Sequence, residues 1–217
     1  MKHEITSDAF STEQEEFWAG QFGNDYISRN EATPENISYN LFLFAKIFKK
    51  VVPLPETIIE FGSNIGLNLR AIKLLLPQAK LSAVEINSTA VARLQKDGVA
   101  QEIFHKSLLE FTPPKLYDFA FIKGVSIHLS PDHLLDVYRK LGACSSRYVL
   151  VAEYYNRNPE EVIYRGHQGK LFRRDFGGFF LEVNPQYDLI DYGFSYHKDV
   201  YENHDDTTWF LFKRVKF

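Results

Sequence analysis

The segment TIIEFGSNIG, residues 57–66, decides how this chain is read. Its apolar run, 57–61, is interrupted by a single acid, Glu60, and ends at Gly62; Gly66 comes four residues later and an amphipathic run, 67–76, follows. That pattern predicts a buried strand turning sharply into a helix. Glycine suits both turn positions, because a backbone that bends tightly and admits a ligand closely has no room for a Cβ. A turn of this kind marks a site for a nucleotide-like ligand.

Two ligand classes use such a turn. A dinucleotide-binding loop reads GxGxxG, and its middle glycine lets the backbone touch a pyrophosphate at the helix N-terminus. Here that middle position is Asn64. The remaining pattern, ExGxxxG, lacks the phosphate contact and adds a carboxylate, Glu60, which is a poor neighbour for a phosphate and a good one for an ammonium. S-adenosylmethionine (SAM) carries an ammonium and no phosphate. For so short a motif the plainer alternative is an ordinary strand-to-helix turn with a solvated glutamate.

Outward from this turn, strands and helices alternate: strand 57–61, helix 64–76, strand 80–85, helix 88–96, strands 101–106 and 117–123, helix 131–142 and strand 147–154. Ser130 as a cap with Pro131 at the first helical position predicts where helix 131–142 begins. Strands separated by helices imply a parallel sheet covered on both faces. The runs 187–196 and 207–215 break the alternation, because only about ten residues (HKDVYENHDD) lie between them, too few for a crossover helix. They predict an antiparallel hairpin. A parallel α/β sheet closed by such a hairpin resembles the seven-stranded, Rossmann-like fold of class I SAM-dependent methyltransferases.

Residues 1–55 read as an N-terminal helical cap, with Ser11 and Gln14 as a capping box for a helix through Gly20 and a second helix over 40–52, stopped by Pro53 and Pro55. Phe17, Trp18, Phe22 and Tyr26 either pack on the core, the usual role of aromatics at helical spacing, or form a lid that excludes water from a cofactor. The resemblance implies that residues 56–217 form a SAM-dependent methyltransferase domain, with a substrate-binding insertion over about 156–180.

Composition narrows the partners. The 217 residues, 45% of them hydrophobic, suffice for one domain core with appendages. A formal net charge of −3 and a pI near 6.2 give no global basic field for nucleic acid. Cys144, the only cysteine, excludes an internal disulfide and a cysteine-rich metal site and suits a reducing cytosol. No apolar run approaches membrane-spanning length, and the opening MKHEITSDAF lacks the apolar core of a signal peptide. The expectation is a cytoplasmic monomer or homodimer.

SAM needs a partner for its ammonium, an acceptor for two ribose hydroxyls, a slot for adenine and a partner for its carboxylate. Glu60 is the ammonium candidate, with Gly62, Asn64 and Gly66 shaping the turn. Glu85 ends the second strand, where a carboxylate accepts both ribose hydroxyls, each charge-assisted bond contributing about 1.5–3 kcal/mol. Dinucleotide enzymes also place an acid there. Ile86 follows and packs on the base. The fourth strand delivers Lys123, Gly124 and His128 to the carboxyl edge, Gly124 admitting the methionine end.

Several segments together resemble one clade. EFGSNIG, KGVSIHLSP, AEYYN followed by YRGHQGKLFRRDFGG, DYGFSYHKD and DDTTWFLFKR are similar to the pseudaminic acid biosynthesis-associated methylases, over nearly the whole chain. The resemblance implies a SAM-dependent methyltransferase in a bacterial pathway that makes or modifies nonulosonic acid sugars. In similar methyltransferases an acidic residue after the third strand takes the adenine amino group. The matching HKSLLEF has Ser107 at that position, where a hydroxyl accepts instead, with the Leu108 amide facing the ring.

Methyl transfer from a sulfonium is an in-line displacement in which alignment contributes about 7–11 kcal/mol. An oxygen or nitrogen nucleophile also needs a base, which adds roughly 10²–10⁴ in rate. His128, Glu153, Tyr155 and His167 are the catalytic candidates, at or beyond the carboxyl edge. His128 leads because imidazole titrates near neutrality, and a helix-entry histidine bonded to backbone is its plainer role. Arg165 and Arg173 suit a carboxylate or phosphate on the acceptor, with Tyr154, Asn156 and Tyr164 holding hydroxyls. Asp205, Asp206 and Glu153 raise the question of a divalent ion, but their spacing is not diagnostic and no metal is expected. The acceptor is thus a small anionic molecule, such as a nonulosonic sugar acid or its nucleotide-activated form. Alternatives are an amine, guanidine or carboxylate of a natural-product precursor and, in another class, a non-catalytic SAM-fold assembly partner.

Overall fold

The computed structural model describes residues 10–200 and 205–215; the opening stretch 1–9, read above for a leader, and residues 201–204 of the hairpin connection lie outside them. Three helices come first, α1 (Glu13–Ala19), α2 (Gln21–Arg29) and α3 (Pro34–Phe48). The alternating part follows as β1 (Thr57–Phe61), α4 (Leu67–Leu75), β2 (Lys80–Glu85), α5 (Ser88–Asp97), β3 (Glu102–His105), β4 (Tyr117–Lys123), α6 (Leu134–Cys144) and β5 (Ser145–Glu153). A two-residue ribbon, β6 (Glu160–Glu161) with β7 (Phe172–Arg173), then precedes α7 (Phe176–Val183), β8 (Tyr187–Ser195) and β9 (Thr207–Arg214).

The sheet order is β3-β2-β1-β4-β5-β9-β8. β1 pairs in parallel with β2 and β4, Ile58 lying opposite Leu81 on one side and Phe119 on the other. β9 inserts between β5 and β8 and runs antiparallel to both, as the short connection requires. Strand order reverses between β1 and β4, and the crevice outside the carboxyl ends at such a reversal is where open α/β sheets bind ligands. The sheet is covered on both faces. Ile58, Leu81, Phe119 and Phe121 pack under α3, α4 and α5 (Leu43, Phe44, Ile47, Leu69, Ile72, Leu94). Ile59, Phe61, Ile122 and Val149 pack under α6 and α7 (Val137, Tyr138, Leu141, Phe176, Phe180). No helix joins β3 to β4; Phe111, 1% exposed, fills that gap against Phe61 and Phe104.

Local signals explain where the elements depart from expectation. The capping box of α1 is Thr12 with Glu15, one residue beyond Ser11 and Gln14, although both pairs carry the same spacing. The helix expected over 40–52 is α3, which starts at Pro34, capped by Thr33, and ends at Phe48. It also belongs to the sheet's helical layer, because the Phe44 and Phe48 rings lie 5.3 Å from Phe121 and Phe119. Ser130 makes no side-chain cap. Pro131 opens a single 3₁₀ turn, and the α-helix proper begins at Leu134. α7, capped by Asp175 onto the Gly178 amide, overlaps the end of the insertion expected over about 156–180, and its Phe176 and Phe180 pack in the core. No helix among the described residues is long and apolar enough to cross a membrane.

Candidate active site

The β1–α4 turn is built as its glycines suggest. Gly62 has φ +78°, and a Cβ there would come 2.7 Å from the Val125 side chain, so the turn and the segment after β4 press together only because the atom is missing. Asn64 also takes a left-handed backbone, φ 45°, which asparagine tolerates. Its amide donates to Glu85 Oε2 at 2.6 Å, and the Asn87 amide donates to Glu85 Oε1 at 2.8 Å. The carboxylate at the end of β2 is therefore held from both sides, with lone pairs left over. Burial raises its pKa, and these amides pull it back.

Glu85 faces a cavity of about 590 Å³, within the roughly 300–1,000 Å³ usual for small-molecule sites. The cavity runs along the carboxyl edge from the segment after β3 (Ser107, Leu108) past Ile86, Glu85, Asn64 and Gly62 to Lys123 and Gly124 at the end of β4. Gly124 is left-handed, φ +66°, and a Cβ there would meet nothing within 4 Å. Beneath lies a buried layer of ionisable side chains. Glu60 is wholly buried and does not line the cavity: Asn68 donates to its Oε1 at 2.6 Å, while Glu60 Oε2 and Asn68 Oδ1 have no protein partner. Burial pushes the Glu60 carboxyl up to about 8 and pulls the Lys123 ammonium down, against their mutual attraction. The face presented to the cavity at this point is the Asn68 amide.

His128 lines the same cavity beyond β4. Its Nδ1 lies 2.6 Å from the Lys170 carbonyl oxygen. A carbonyl cannot donate, so Nδ1 carries the proton and Nε2 keeps its lone pair. Burial pushes the imidazole down to about 4, so the ring is neutral at pH 7. The rings of Trp18 (4.5 Å) and Tyr164 (4.9 Å) flank it.

The N-terminal helices close one wall. Trp18, Tyr26 and Arg29 line the cavity, as do Tyr154, Tyr164 and Arg165 from the segment after β5. Burial pushes the Tyr26 phenol up to about 12, and Tyr154 donates its hydroxyl to Asp205. Of the aromatics of α1 and α2, Phe17 and Phe22 stack on each other 4.0 Å apart, while Trp18 and Tyr26 face the cavity. Asn87 fixes the helices to β2, donating to the Trp18 carbonyl and to Asn24.

Other expected residues sit elsewhere. Glu153 is 2% exposed and accepts from the Val125 and Ser126 amides at 3.1 and 2.8 Å, so it anchors the segment carrying His128 without reaching the cavity. Burial holds its carboxyl up at about 7. Tyr155 is half exposed beside Phe210, and His167 packs on the outer side of Phe17 and Phe22. Asn156 donates to Glu160, while Arg173 lines a separate small pocket of about 190 Å³ behind Tyr154. Gly66 works through packing, since a Cβ would lie 2.7 Å from Leu94. Asp206 pairs with His197. Among the described residues no three histidine, cysteine or carboxylate side chains gather where they would hold a metal. Sequence reasoning passed over Asn68, Asn87, Glu15 and the Lys170 carbonyl.

The polar groups present suit an adenosyl sulfonium. Glu85 is free to accept from a diol, Asn68 Oδ1 is a buried acceptor without a partner, and the Gly124 backbone opens on the cavity. No protein-family model and no curated protein matches the chain. Solved structures do. An O-methyltransferase from a trans-AT polyketide synthase multienzyme of Brevibacillus brevis, in complex with S-adenosyl-L-homocysteine, is 14% identical with a TM-score of 0.60, over 94% of this chain and 80% of that one. A SAM-dependent methyltransferase of Leishmania major is 13% identical with a TM-score of 0.66, over 94% and 87%. The magnesium protoporphyrin IX methyltransferase of Synechocystis, with bound SAM, is 11% identical with a TM-score of 0.65, over 94% and 99%. The chain has the class I methyltransferase fold, a mostly parallel seven-stranded sheet ending in an antiparallel hairpin.

Proposed function

We propose that this chain is a SAM-dependent methyltransferase that acts on an oxygen or nitrogen atom of a small anionic acceptor, with His128 as the base. The observation that carries the reading is that Glu85 and His128, whose Nδ1 is taken by the Lys170 carbonyl, line one cavity at the reversal point of the sheet. Glu85 takes the ribose hydroxyls, Asn68 over Glu60 takes the ammonium, and the open space beside Gly124 holds the chain between them.

SAM, when bound, supplies an activated methyl on sulfur. The residues of this chain supply alignment and proton removal. The acceptor lies among Trp18, Tyr164 and His128. As its heteroatom bonds to the methyl carbon, the carbon–sulfur bond breaks toward neutral thioether, and the acceptor's proton passes to His128 Nε2. The Lys170 carbonyl keeps Nδ1 protonated and stabilises the imidazolium that forms. Arg29 and Arg165 face the cavity and suit a carboxylate or phosphate on the acceptor. A nonulosonic sugar acid, free or nucleotide-activated, is the member of that class implied by the sequence resemblance.

Mass spectrometry after incubation with SAM and a panel of sugar acids, their nucleotide-linked forms and carboxylate-free analogues tests this. The expected result is a gain of one methyl that depends on the acidic group. Equal gain without that group overturns the anion site, and no gain on any acceptor despite SAM binding favours the assembly-partner reading.

A further inference from the structure

We propose that Glu15, on α1, accepts the adenine amino group, so that the base is recognised by the N-terminal helix and not by the sheet. The inference rests on the SAM reading above and names the residue that reads the base within it.

The placement follows from the order of groups along the cavity. The reacting end lies at β4, beside Gly124 and His128, and the ribose acceptor Glu85 lies at β2. The base is left with the β3 end, among Ile86, Ser107, Leu108 and Glu15. An exocyclic amine is a donor, so this end must offer an acceptor; the neutral acceptors there each already take a hydrogen bond, and a carboxylate accepts more strongly than any of them. The Leu108 and Leu109 carbonyls accept from Lys140 Nζ, and the Ile86 carbonyl lies 3.1 Å from His105 Nε2. Ser107 Oγ accepts from the Leu109 amide at 3.0 Å and gives its single proton to Glu15 Oε1.

Glu15 itself is 8% exposed and lines the cavity. Its Oε2 is filled by the Ser11 and Thr12 amides, at 2.8 and 3.0 Å, as part of the α1 capping box. Its Oε1 holds only Ser107, and a carboxylate oxygen accepts twice. The remaining lone pair is the strongest acceptor at the base end. The acid absent from the position after β3 is thus supplied across the cavity by α1, and Ser107 serves to hold it.

A carboxylate there accepts from the 6-amino group of adenine and repels the 6-oxo group of hypoxanthine. Calorimetric titration with S-adenosylhomocysteine and with S-inosylhomocysteine reads this directly. The wild-type chain should prefer the adenine form by about tenfold or more, the range of one charge-assisted hydrogen bond. Glu15→Gln offers an amide that both donates and accepts, and should narrow that preference to about threefold or less by weakening the adenine form. If Glu15→Gln does not fold, Glu15→Asp, which keeps the charge and withdraws it by one methylene, should narrow the preference as well. An unchanged preference, with both ligands weakened equally, overturns the role of Glu15 and leaves the SAM reading standing. A wild-type chain that binds neither ligand overturns the SAM reading and this inference with it.

Discussion

The two ends of the cavity are held together over very different stretches of chain. At the β2 end, Glu85 is fixed by the amides of Asn87 and Asn64, two and 21 residues away, both on turns that the strand ends themselves define. At the β4 end, His128 is oriented by the carbonyl of Lys170, 42 residues on, and flanked by Trp18 from α1. The Lys170 segment is in turn tied to α1, Lys170 Nζ lying 3.1 Å from Glu13 and Gln14 donating to the Gly169 carbonyl at 2.8 Å. The ribose acceptor is scaffolded by the sheet, while the His128 end is assembled from two segments outside it. Cofactor affinity and turnover should therefore respond to different substitutions.

The largest effect that would sharpen this contrast belongs to His128. His128→Ala should lower kcat by about 10²–10⁴ while leaving the affinity for S-adenosylhomocysteine within about threefold. The pH profile adds a sign. Burial has pushed the imidazole from 6.5 down to about 4, so Nε2 can accept a proton at any pH above that value and loses the ability below it. The acid limb of kcat/KM should lie near 4. A limb near 6.5 would mean that His128 is solvated, and the contrast between the two ends would break.

A smaller effect of the opposite kind belongs to Glu85. Glu85→Gln replaces one of two acceptor oxygens with a donor, and it should weaken S-adenosylhomocysteine by about 10- to 100-fold, the range of one charge-assisted bond of about 1.5–3 kcal/mol. At saturating SAM its kcat should stay within a few-fold of wild type. A loss confined to kcat would show that Glu85 serves the reacting end.

Legibility in the sequence follows the same division. The turn at 57–66, the strand alternation and the terminal hairpin are written in local periodicity, and the sheet forms as that periodicity demands. Glu85, Ile86, Lys123 and Gly124 were readable for the same reason, since residues at strand ends arrive together once the sheet is parallel. Glu60 was readable as a strand acid, but its depth was not. Whether Asn68 covers it depends on how α4 packs. Capping shows the limit most clearly. Thr33–Pro34 and Ser130–Pro131 carry the same signal, yet only the first starts an α-helix with a side-chain cap, because after Ser130 the chain spends a 3₁₀ turn before α6. Glu15 was hidden altogether. Its capping-box spacing is local, but its contact with Ser107 spans 92 residues, and nothing in either segment specifies that they meet.

The most direct measurement is a parallel titration of the purified chain with S-adenosylhomocysteine and with NAD. Saturable binding of the first at one per chain, with no competition from the second, is the predicted result. Binding of NAD in preference to the sulfur nucleoside would contradict the assignment of the cavity, and with it the role given to His128.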